Sequence, residues 1–404
     1  MRRWFQAFSF FCLALPLQAA ENRVQQPVLL GIDVLEQQGY ALLQGKQVGL
    51  LTNHTGVDSS GRSTADLLAK APGVKLIALF SPEHGIRGKR QAGAPIGDTI
   101  DPKLHLPVYS LYGTVQKPSP EMLNAIDVLV FDMQDVGARF YTYLTTMGMA
   151  MEAAAQRGIP FMVLDRPNPA GGAALEGQAL DPRIHHFTAY YQVPVRHGFT
   201  AGELAQWYNQ TQKLNVQLTV ISLKNWKRDE LWPETRLPFV PPSPNIRNPT
   251  AALLYSGVGM FEATNVSVGR GTETPFEVVG APWMQGDLLA RRLNALQLPG
   301  LQFKAASFTP ATDANQGRLC AGVRIKVTDP KAVRPVDLFV QICCLIRELW
   351  PKDFQPRWDE VARVTGSQDF EHLYEANRPA VEILDLFHKS AEQFAKDRQP
   401  YLLY

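Results

Sequence analysis

A regular alternation of short apolar runs with helix-like segments, beginning near residue 46, is the feature that most constrains this chain. Parallel strands need crossover helices and are buried on both faces, so the alternation predicts an α/β protein built on a parallel sheet. The predicted strands are residues 47–52, 75–80, 108–111, 127–131, 159–164 and 216–223. The predicted helices begin at Ser63 or Thr64, span residues 120–124 and 141–157, and run from a Thr200 cap to Asn209.

Polar residues follow four of these strands, at the point where each strand ends. In open parallel sheets the ligand site lies beyond the carboxyl ends of the strands, so we expect these side chains to line a single cleft. They are Asn53 and His54, Glu83 and His84, Asp132 and Asp135, and then Asp165, Arg166 and Asn168.

A stretch with five prolines, residues 238–249, separates this region from a second one with weaker periodicity. Proline restricts the backbone, so the stretch is expected to be a rigid connection. The second region has predicted strands at 301–308 and 320–327 and predicted helices at 286–296, 336–349 and 381–397. This mixture is typical of a smaller α+β domain. We therefore expect an α/β domain over residues 21–250 and an α+β domain over residues 251–404.

The first 20 residues have the pattern of a signal peptide. Two arginines precede an apolar stretch, residues 4–17, and the alanines at 19 and 20 provide small residues for cleavage. An uncleaved N-terminal anchor is the competing interpretation. No later segment is long and apolar enough to suggest a membrane span. We expect a periplasmic or secreted protein without stable membrane insertion after cleavage.

Charge and motifs argue against several classes of function. The net charge is +2 and there are no basic runs, which is unlike a nucleic-acid-binding protein. The pair Gly257-Val258-Gly259 lacks the third glycine of a dinucleotide fingerprint, and no Gly-x-Ser-x-Gly nucleophile motif is present. We therefore expect no nucleic-acid partner, no cofactor and no resident metal.

The segment Ser81-Pro82-Glu83-His84-Gly85 places a carboxylate beside an imidazole at a strand end. A carboxyl group in a suitably buried site can act as a general acid near neutral pH. Glu83 is thus the leading candidate for proton transfer, with His84 beside it. The competing interpretation is that Glu83 stabilises a turn and pairs with Arg87 or Arg90.

Three further carboxylates can act with Glu83. Asp132 and Asp135 are three residues apart, and Glu176 lies in a loop rich in glycine. The Asp pair can bind sugar hydroxyls, position a water or hold a divalent cation, because carboxylates are hard ligands. A salt bridge to Arg139 is the structural alternative for one of them, and a solvated loop residue is the alternative for Glu176. The paired carboxylates of glycoside hydrolysis fit this set better than a serine nucleophile.

The run from Phe261 to Thr272 is dense in polar residues and glycine. Arg270, between two glycines, can bind a carboxylate or another anion together with backbone amides. A short glycine turn with an exposed arginine is the competing interpretation.

Together these motifs resemble the exo-β-N-acetylmuramidase family called NamZ, long listed as a domain of unknown function. The resemblance rests on the segments 81–85, 131–143, 165–169, 196–198, 242–245 and 261–277. It implies a Rossmann-like catalytic N-terminal domain, a smaller C-terminal domain and an active-site cleft between them. It also implies a glycoside hydrolase that removes terminal N-acetylmuramic acid from the non-reducing end of peptidoglycan fragments, in cell-wall recycling or in feeding on foreign walls.

The resemblance makes Glu83 the catalytic carboxylate, with His84 close by. Asp135 or Glu176 can be the second catalytic group, as nucleophile or as base for water; alternatively, the acetamido group of the substrate attacks. The lactyl carboxylate of muramic acid needs a cation, for which Arg270, Arg139 and Arg166 are candidates. The expected substrate-binding residues are Asn53, His54, Asp132, Arg139, Tyr141, Asp165, Arg166, Asn168, Asn245, Glu262, Asn265 and Arg270.

Two other functions are compatible with these residues. One is a metal-dependent cell-wall hydrolase built on Asp132, Asp135 and His84. The other is a non-catalytic protein that binds muropeptides in a cleft between two domains. Sensitivity to a chelator would support the first, and ligand binding without turnover would support the second.

Overall fold

Seven strands between residues 47 and 221 form the main sheet of the protein, whose computed structural model describes residues 26–83, 85–86 and 97–404. The strands are β1 (Gln47–Thr52), β2 (Lys75–Ser81), β3 (Thr99–Ile100), β4 (Pro107–Ser110), β5 (Val128–Asp132), β6 (Phe161–Leu164) and β7 (Leu218–Ile221). Their order across the sheet is β3-β4-β2-β1-β5-β6-β7, and all neighbours are parallel except β3 and β4.

Without the short β3, this order is that of a doubly-wound, Rossmann-like sheet. Strands β1 and β5 are buried along almost their whole length, which explains their uninterrupted apolar sequences. The chain builds the sheet from β1 through β2 to β4 and then crosses to β5 on the other side of β1. The point at which the strand order reverses therefore lies between β1 and β5. The predicted α/β architecture is confirmed.

The described residues that precede the second sheet form six α-helices. They are α1 (Gly31–Gln37), α2 (Thr64–Lys70), α3 (Thr142–Arg157), α4 (Ala201–Thr211), α5 (Trp232–Thr235) and α6 (Pro249–Val258). The predicted Thr200 cap of α4 is present, because its hydroxyl accepts a hydrogen bond from the Glu203 amide and the Glu203 carboxylate accepts one from the Thr200 amide. Helix α3 ends at Gly158, which has a left-handed conformation (φ 67°).

The second sheet is antiparallel and has three strands in the order β8-β10-β9. Its strands are β8 (Val278–Ala281), β9 (Leu301–Phe308) and β10 (Cys320–Val327). The remaining helices are α7 (Gly286–Ala295), α8 (Pro335–Leu349), α9 (Trp358–Thr365), α10 (Asp369–Glu375) and α11 (Ala380–Asp397). One continuous cluster of buried apolar side chains, from Leu51 to Phe394, includes residues of both sheets. The cavity described below can therefore draw side chains from both parts of the chain.

The structure contradicts one sequence-based expectation about local structure and does not describe the residues of another. The predicted helix at residues 120–124 is wrong: these residues form turns, in which the Asn124 amide donates to the Glu121 carbonyl at 3.2 Å. The predicted signal peptide lies outside the described residues. Among the residues that the structure does describe, no helix combines the length and the apolar character that a membrane crossing requires.

Candidate active site

A cavity of about 440 Å³ lies beside the carboxyl ends of β2 and β4 and the start of α3. Its walls are formed by residues from both parts of the chain: Glu83, Tyr112, Gly113, Gln116, Phe140, Tyr141, Thr142, His186, Phe187, Thr188, Ser243, Ile246, Tyr255, Glu262, Arg270 and Phe276. This volume is within the range of small-molecule sites, which is ~300–1,000 Å³. Because both halves of the chain contribute side chains, the expected cleft between them is present.

Glu83 reaches this cavity because it follows β2 directly through Pro82. The Thr142 hydroxyl donates a hydrogen bond to Glu83 Oε2 at 2.9 Å. Thr142 is the first residue of α3, and the donor is therefore held by a helix of 16 residues. His84, the predicted partner of Glu83, lies outside the described residues.

Arg270 and Glu262 form a charged pair in the wall of the same cavity. Asp313 Oδ2 also lies 3.2 Å from Arg270 Nε, and the guanidinium lies 5.4 Å from the centre of the Phe276 ring. Burial raises the pKa of Glu262, and the charge of Arg270 acts in the opposite direction. Asn245 does not line the cavity; its Oδ1 accepts a hydrogen bond from the Gly271 amide at 3.1 Å and so holds the Arg270 turn.

Aromatic rings form much of the remaining wall. Tyr141 lies 5.7 Å from Tyr255 between ring centres, and Tyr255 lies 4.9 Å from Phe276. Burial raises the pKa of Tyr141 well above its usual value, so its phenol stays protonated at neutral pH. A second group, Tyr112 and Phe187, has ring centres 6.0 Å apart. Aromatic faces of this kind can stack on sugar rings.

The residues at the ends of β5 and β6 are held in internal bonds and do not line the cavity. Arg166 binds Asp132 through Nε at 2.5 Å and through Nη2 at 2.9 Å, and Thr64 donates to the same carboxylate. Both side chains of this ion pair are almost fully buried. The expected role of Asp132 and Arg166 in substrate binding therefore has no support in their positions.

Asp165 and Asn168 organise the chain around the start of α4. Asp165 accepts hydrogen bonds from Thr200 Oγ1 at 2.7 Å, from the Gly202 amide at 2.8 Å and from the Tyr404 hydroxyl at 2.6 Å. Burial raises the pKa of Asp165 to about 6. Asn168 donates to the Phe199 carbonyl and accepts from the Ala170 amide. Both side chains have structural partners and lie outside the cavity wall.

Arg139 and Glu176 also have structural partners. Arg139 donates to the backbone carbonyls of Gln178, Val193, Arg363 and Val364, and burial lowers its pKa to about 9. The last two carbonyls belong to the final turn of α9, so Arg139 connects the two halves of the chain. Glu176 is fully buried and binds Arg196. Neither residue lines the cavity.

Asp135 is not among the residues that line the cavity. Its Oδ2 accepts a hydrogen bond from the Gly137 amide at 2.6 Å and lies 3.5 Å from His197 Nε2. His197 Nδ1 accepts from the Phe199 amide, so the ring nitrogen that faces Asp135 is Nε2. Asp135 is 7% exposed. It is a neighbour of the site without direct access to the cavity.

Three remaining candidates hold loops. Asn53 Oδ1 accepts from the amide and the hydroxyl of Thr55, and His54 Nε2 donates to the Pro241 carbonyl at 2.7 Å. Asn265 donates to the Asp353 carbonyl and accepts from the Gln355 amide. All three lie outside the cavity wall.

Of the predicted residues, the structure brings Glu83, Tyr141, Glu262 and Arg270 together. It adds residues that sequence reasoning missed, above all Thr142, Tyr255 and Phe187. Thr142 lies within the segment 131–143 on which the family resemblance rests, and α3 begins at Thr142, one residue after the predicted helix start. Tyr255 and Phe187 carry no local signal, since aromatic residues at such positions are mostly core.

Comparisons with known proteins agree along almost the whole chain. Two family models, described as exo-β-N-acetylmuramidase NamZ, N-terminal and C-terminal, match residues 48–250 and 253–404. The peptidoglycan β-N-acetylmuramidase NamZ of Bacillus subtilis is 46% identical over 395 residues, which are 97% of this chain and 95% of the relative. Two crystal structures of DUF1343 family proteins from Bacteroides fragilis have TM-scores of 0.88 and 0.76 at 37% and 30% identity. Each covers 94% of this chain and 99% of its own.

Proposed function

The chain belongs to the exo-β-N-acetylmuramidase NamZ family, and on that premise we propose that it hydrolyses peptidoglycan fragments in the cavity around Glu83. The reaction removes terminal N-acetylmuramic acid from the non-reducing end. Water adds across the glycosidic bond: its hydroxyl goes to the anomeric carbon, and the leaving oxygen takes a proton. The observation that carries the proposal is the position of the Glu83 carboxyl in a cavity of sugar-binding size.

Glu83 transfers the proton to the leaving oxygen. Of the described residues that line the cavity, only Glu83 and Glu262 have carboxylates. The two alternatives for the second group, Asp135 and Glu176, do not line the cavity, and Glu176 is held in a buried ion pair. Glu262 is therefore the second carboxylate in the cavity wall, and its ion pair with Arg270 orients that guanidinium.

Arg270 is the candidate cation for the lactyl carboxylate of muramic acid. Both of its acidic neighbours approach Nε, and neither terminal amino group donates a hydrogen bond to another residue in the described ranges. A guanidinium can bind a carboxylate through two parallel hydrogen bonds. Arg139 and Arg166, the other two candidates, already direct their amino groups to internal partners. This difference favours Arg270 as the residue that distinguishes muramic acid from glucosamine.

The metal-dependent alternative has less support from the geometry. Asp132, one of its proposed ligands, binds Arg166 with both oxygens and also accepts from Thr64. Within residues 26–83, 85–86 and 97–404, no group of three or more His, Cys, Asp or Glu side chains is arranged to hold a metal. We therefore propose the glycosidase, and expect its activity to be unaffected by a chelator.

The test is release of the chromophore from para-nitrophenyl β-N-acetylmuraminide, with the corresponding N-acetylglucosaminide as control substrate. Glu83→Gln is assayed beside the wild type, and we expect turnover of the muraminide alone, with a loss of ~10²-fold or more in the variant. Binding of the natural disaccharide by folded wild type without any turnover would instead identify a muropeptide-binding protein. Full activity of Glu83→Gln would still identify an enzyme, but it would show that Glu83 does not take part in the reaction.

We also propose that the protein is exported and acts in the periplasm or outside the cell, in cell-wall recycling or feeding. The signal-like pattern of residues 1–20 supports this. Cell fractionation with sequencing of the mature N-terminus tests it, and a protein found in the cytoplasm with residues 1–20 still attached would contradict it.

A further inference from the structure

We propose that Thr142 is a positioning residue for Glu83, which fixes the carboxyl group in the cavity and serves it in both of its protonation states. The inference rests on the proposed function of Glu83. It is carried by the hydrogen bond of 2.9 Å from Thr142 Oγ1 to Glu83 Oε2.

The two residues have very different supports. Glu83 follows a strand end through a single proline and is only partly buried. Thr142 is 8% exposed, begins the 16-residue helix α3 and follows Tyr141, whose ring packs against Tyr143 and Tyr255. Because threonine is branched at Cβ, few rotamers are open to its hydroxyl. The Thr142 hydroxyl on α3 thus orients Oε2.

A hydroxyl is suited to a partner that gains and loses a proton. It has one donor hydrogen and two acceptor lone pairs, so it donates to a carboxylate and can accept from a carboxylic acid after a small rotation. An amide N–H or an ammonium group in place of the hydroxyl can only donate, and it would therefore favour the carboxylate over the carboxylic acid. With Thr142 the hydrogen bond persists through a cycle in which Glu83 delivers its proton and recovers it from water.

Thr142→Val removes the hydroxyl at nearly constant shape, and Thr142→Ser retains it. Thr145→Val is the matched control, because Thr145 lies on the same helix, is fully buried and has a hydroxyl without a hydrogen-bond partner in the described structure. We expect Thr142→Val to lower kcat by roughly 10- to 100-fold with little change in KM, since the lost bond is to a charged group. Thr142→Ser should recover most of kcat, and Thr145→Val should match the wild type.

A comparison of kcat, KM and thermal unfolding separates positioning from a general loss of structure. A loss of kcat in Thr142→Val with KM and the unfolding midpoint close to wild type, and its recovery in Thr142→Ser, indicates positioning, whereas a general loss of structure lowers the unfolding midpoint as well. The contact is also measured without turnover, because the carboxyl ¹³C signal of Glu83 in labelled protein, identified by its absence from Glu83→Gln, should move in Thr142→Val and return in Thr142→Ser.

The outcomes are distinct. A wild type without turnover on any muraminide contradicts the proposed function, while the Glu83 carboxyl signal still reports on the contact. Wild-type turnover with Thr142→Val within twofold in kcat, or with the Glu83 carboxyl signal unmoved in that variant, overturns the positioning role. An equal loss in Thr145→Val would also overturn it, since the effect would then belong to the helix.

Discussion

Glu176 and Arg196 form an ion pair in the protein interior, with Arg196 Nη1 2.6 Å from Glu176 Oε1 and both side chains almost without exposure. The other carboxylate oxygen, Oε2, accepts a hydrogen bond from the Val336 amide at 3.0 Å, near the start of α8. Glu176 therefore joins the loop after β6 to the second half of the chain. Its residue type matches that of a catalytic group, but its partners are those of a structural one.

Glu176→Gln should therefore lower stability and spare the chemistry. Removing one partner of a buried pair leaves Arg196 without compensation, and such changes cost about 3–5 kcal/mol. We expect a lower midpoint of urea unfolding and a kcat within twofold of wild type at a temperature where the variant is folded. Glu83→Gln should instead unfold at a urea concentration close to that of wild type and have a strongly reduced kcat. A large loss of kcat in Glu176→Gln with unchanged unfolding would return Glu176 to the list of catalytic groups.

Arg270→Met should remove the preference for muramic acid. Hydrogen bonds to charged groups contribute about 1.5–3 kcal/mol, so kcat/KM for the muraminide should fall by roughly 10- to 100-fold. Any slow turnover of the glucosaminide, which lacks the lactyl carboxylate, should be unaffected. Arg247→Met is the control, because Arg247 is exposed and outside the cavity wall. An equal loss on both substrates would contradict the assignment.

The contribution of Asp165 to stability should decrease as the pH rises towards neutral. Burial raises its pKa in the folded protein to about 6, above the ordinary value of 3.8, so the folded state binds more protons between these limits. Stability from this group is therefore highest below pH ~4 and decreases as the pH rises through ~6, by an amount on the order of 3 kcal/mol.

Urea unfolding at pH 4, 5, 6 and 7 measures this effect as the difference between wild type and Asp165→Asn. The wild type should lose stability relative to the variant as the pH rises. Parallel curves over this range would show that Asp165 does not titrate there.

Gly257→Ala should destabilise the protein, although alanine in a helix interior is normally better than glycine by ~0.5–1 kcal/mol. A Cβ at this position would lie 1.7 Å from the Pro335 carbonyl oxygen, where α6 and α8 meet. Overpacking of this kind costs ~1–3 kcal/mol or more. Thermal unfolding beside Ser256→Ala, which adds no volume on the same helix, checks it, and a Tm equal to or above wild type would refute the close approach.

Sequence periodicity predicted most of the fold because it is a local property. Strands β1, β9 and β10 lie at the predicted residues, and α3 begins one residue after its predicted start. Helix α6 was not predicted: its first residue, Pro249, was taken as the end of the proline-rich connection, and no element was assigned to the residues that follow. Its packing against α8 compensates for the weak helix propensity of Gly257.

The sequence by itself determined that Glu83 stands at a strand end and that Arg270 lies in a glycine turn, because both facts depend on neighbouring residues. Tertiary structure alone decided which charged groups reach the cavity. Glu176 meets Arg196 across 20 residues, and Asp132 meets Arg166 across 34, once the sheet order brings these segments together. A buried charge must be paired, so the two interior ion pairs explain why Glu176, Asp132 and Arg166 do not reach the cavity.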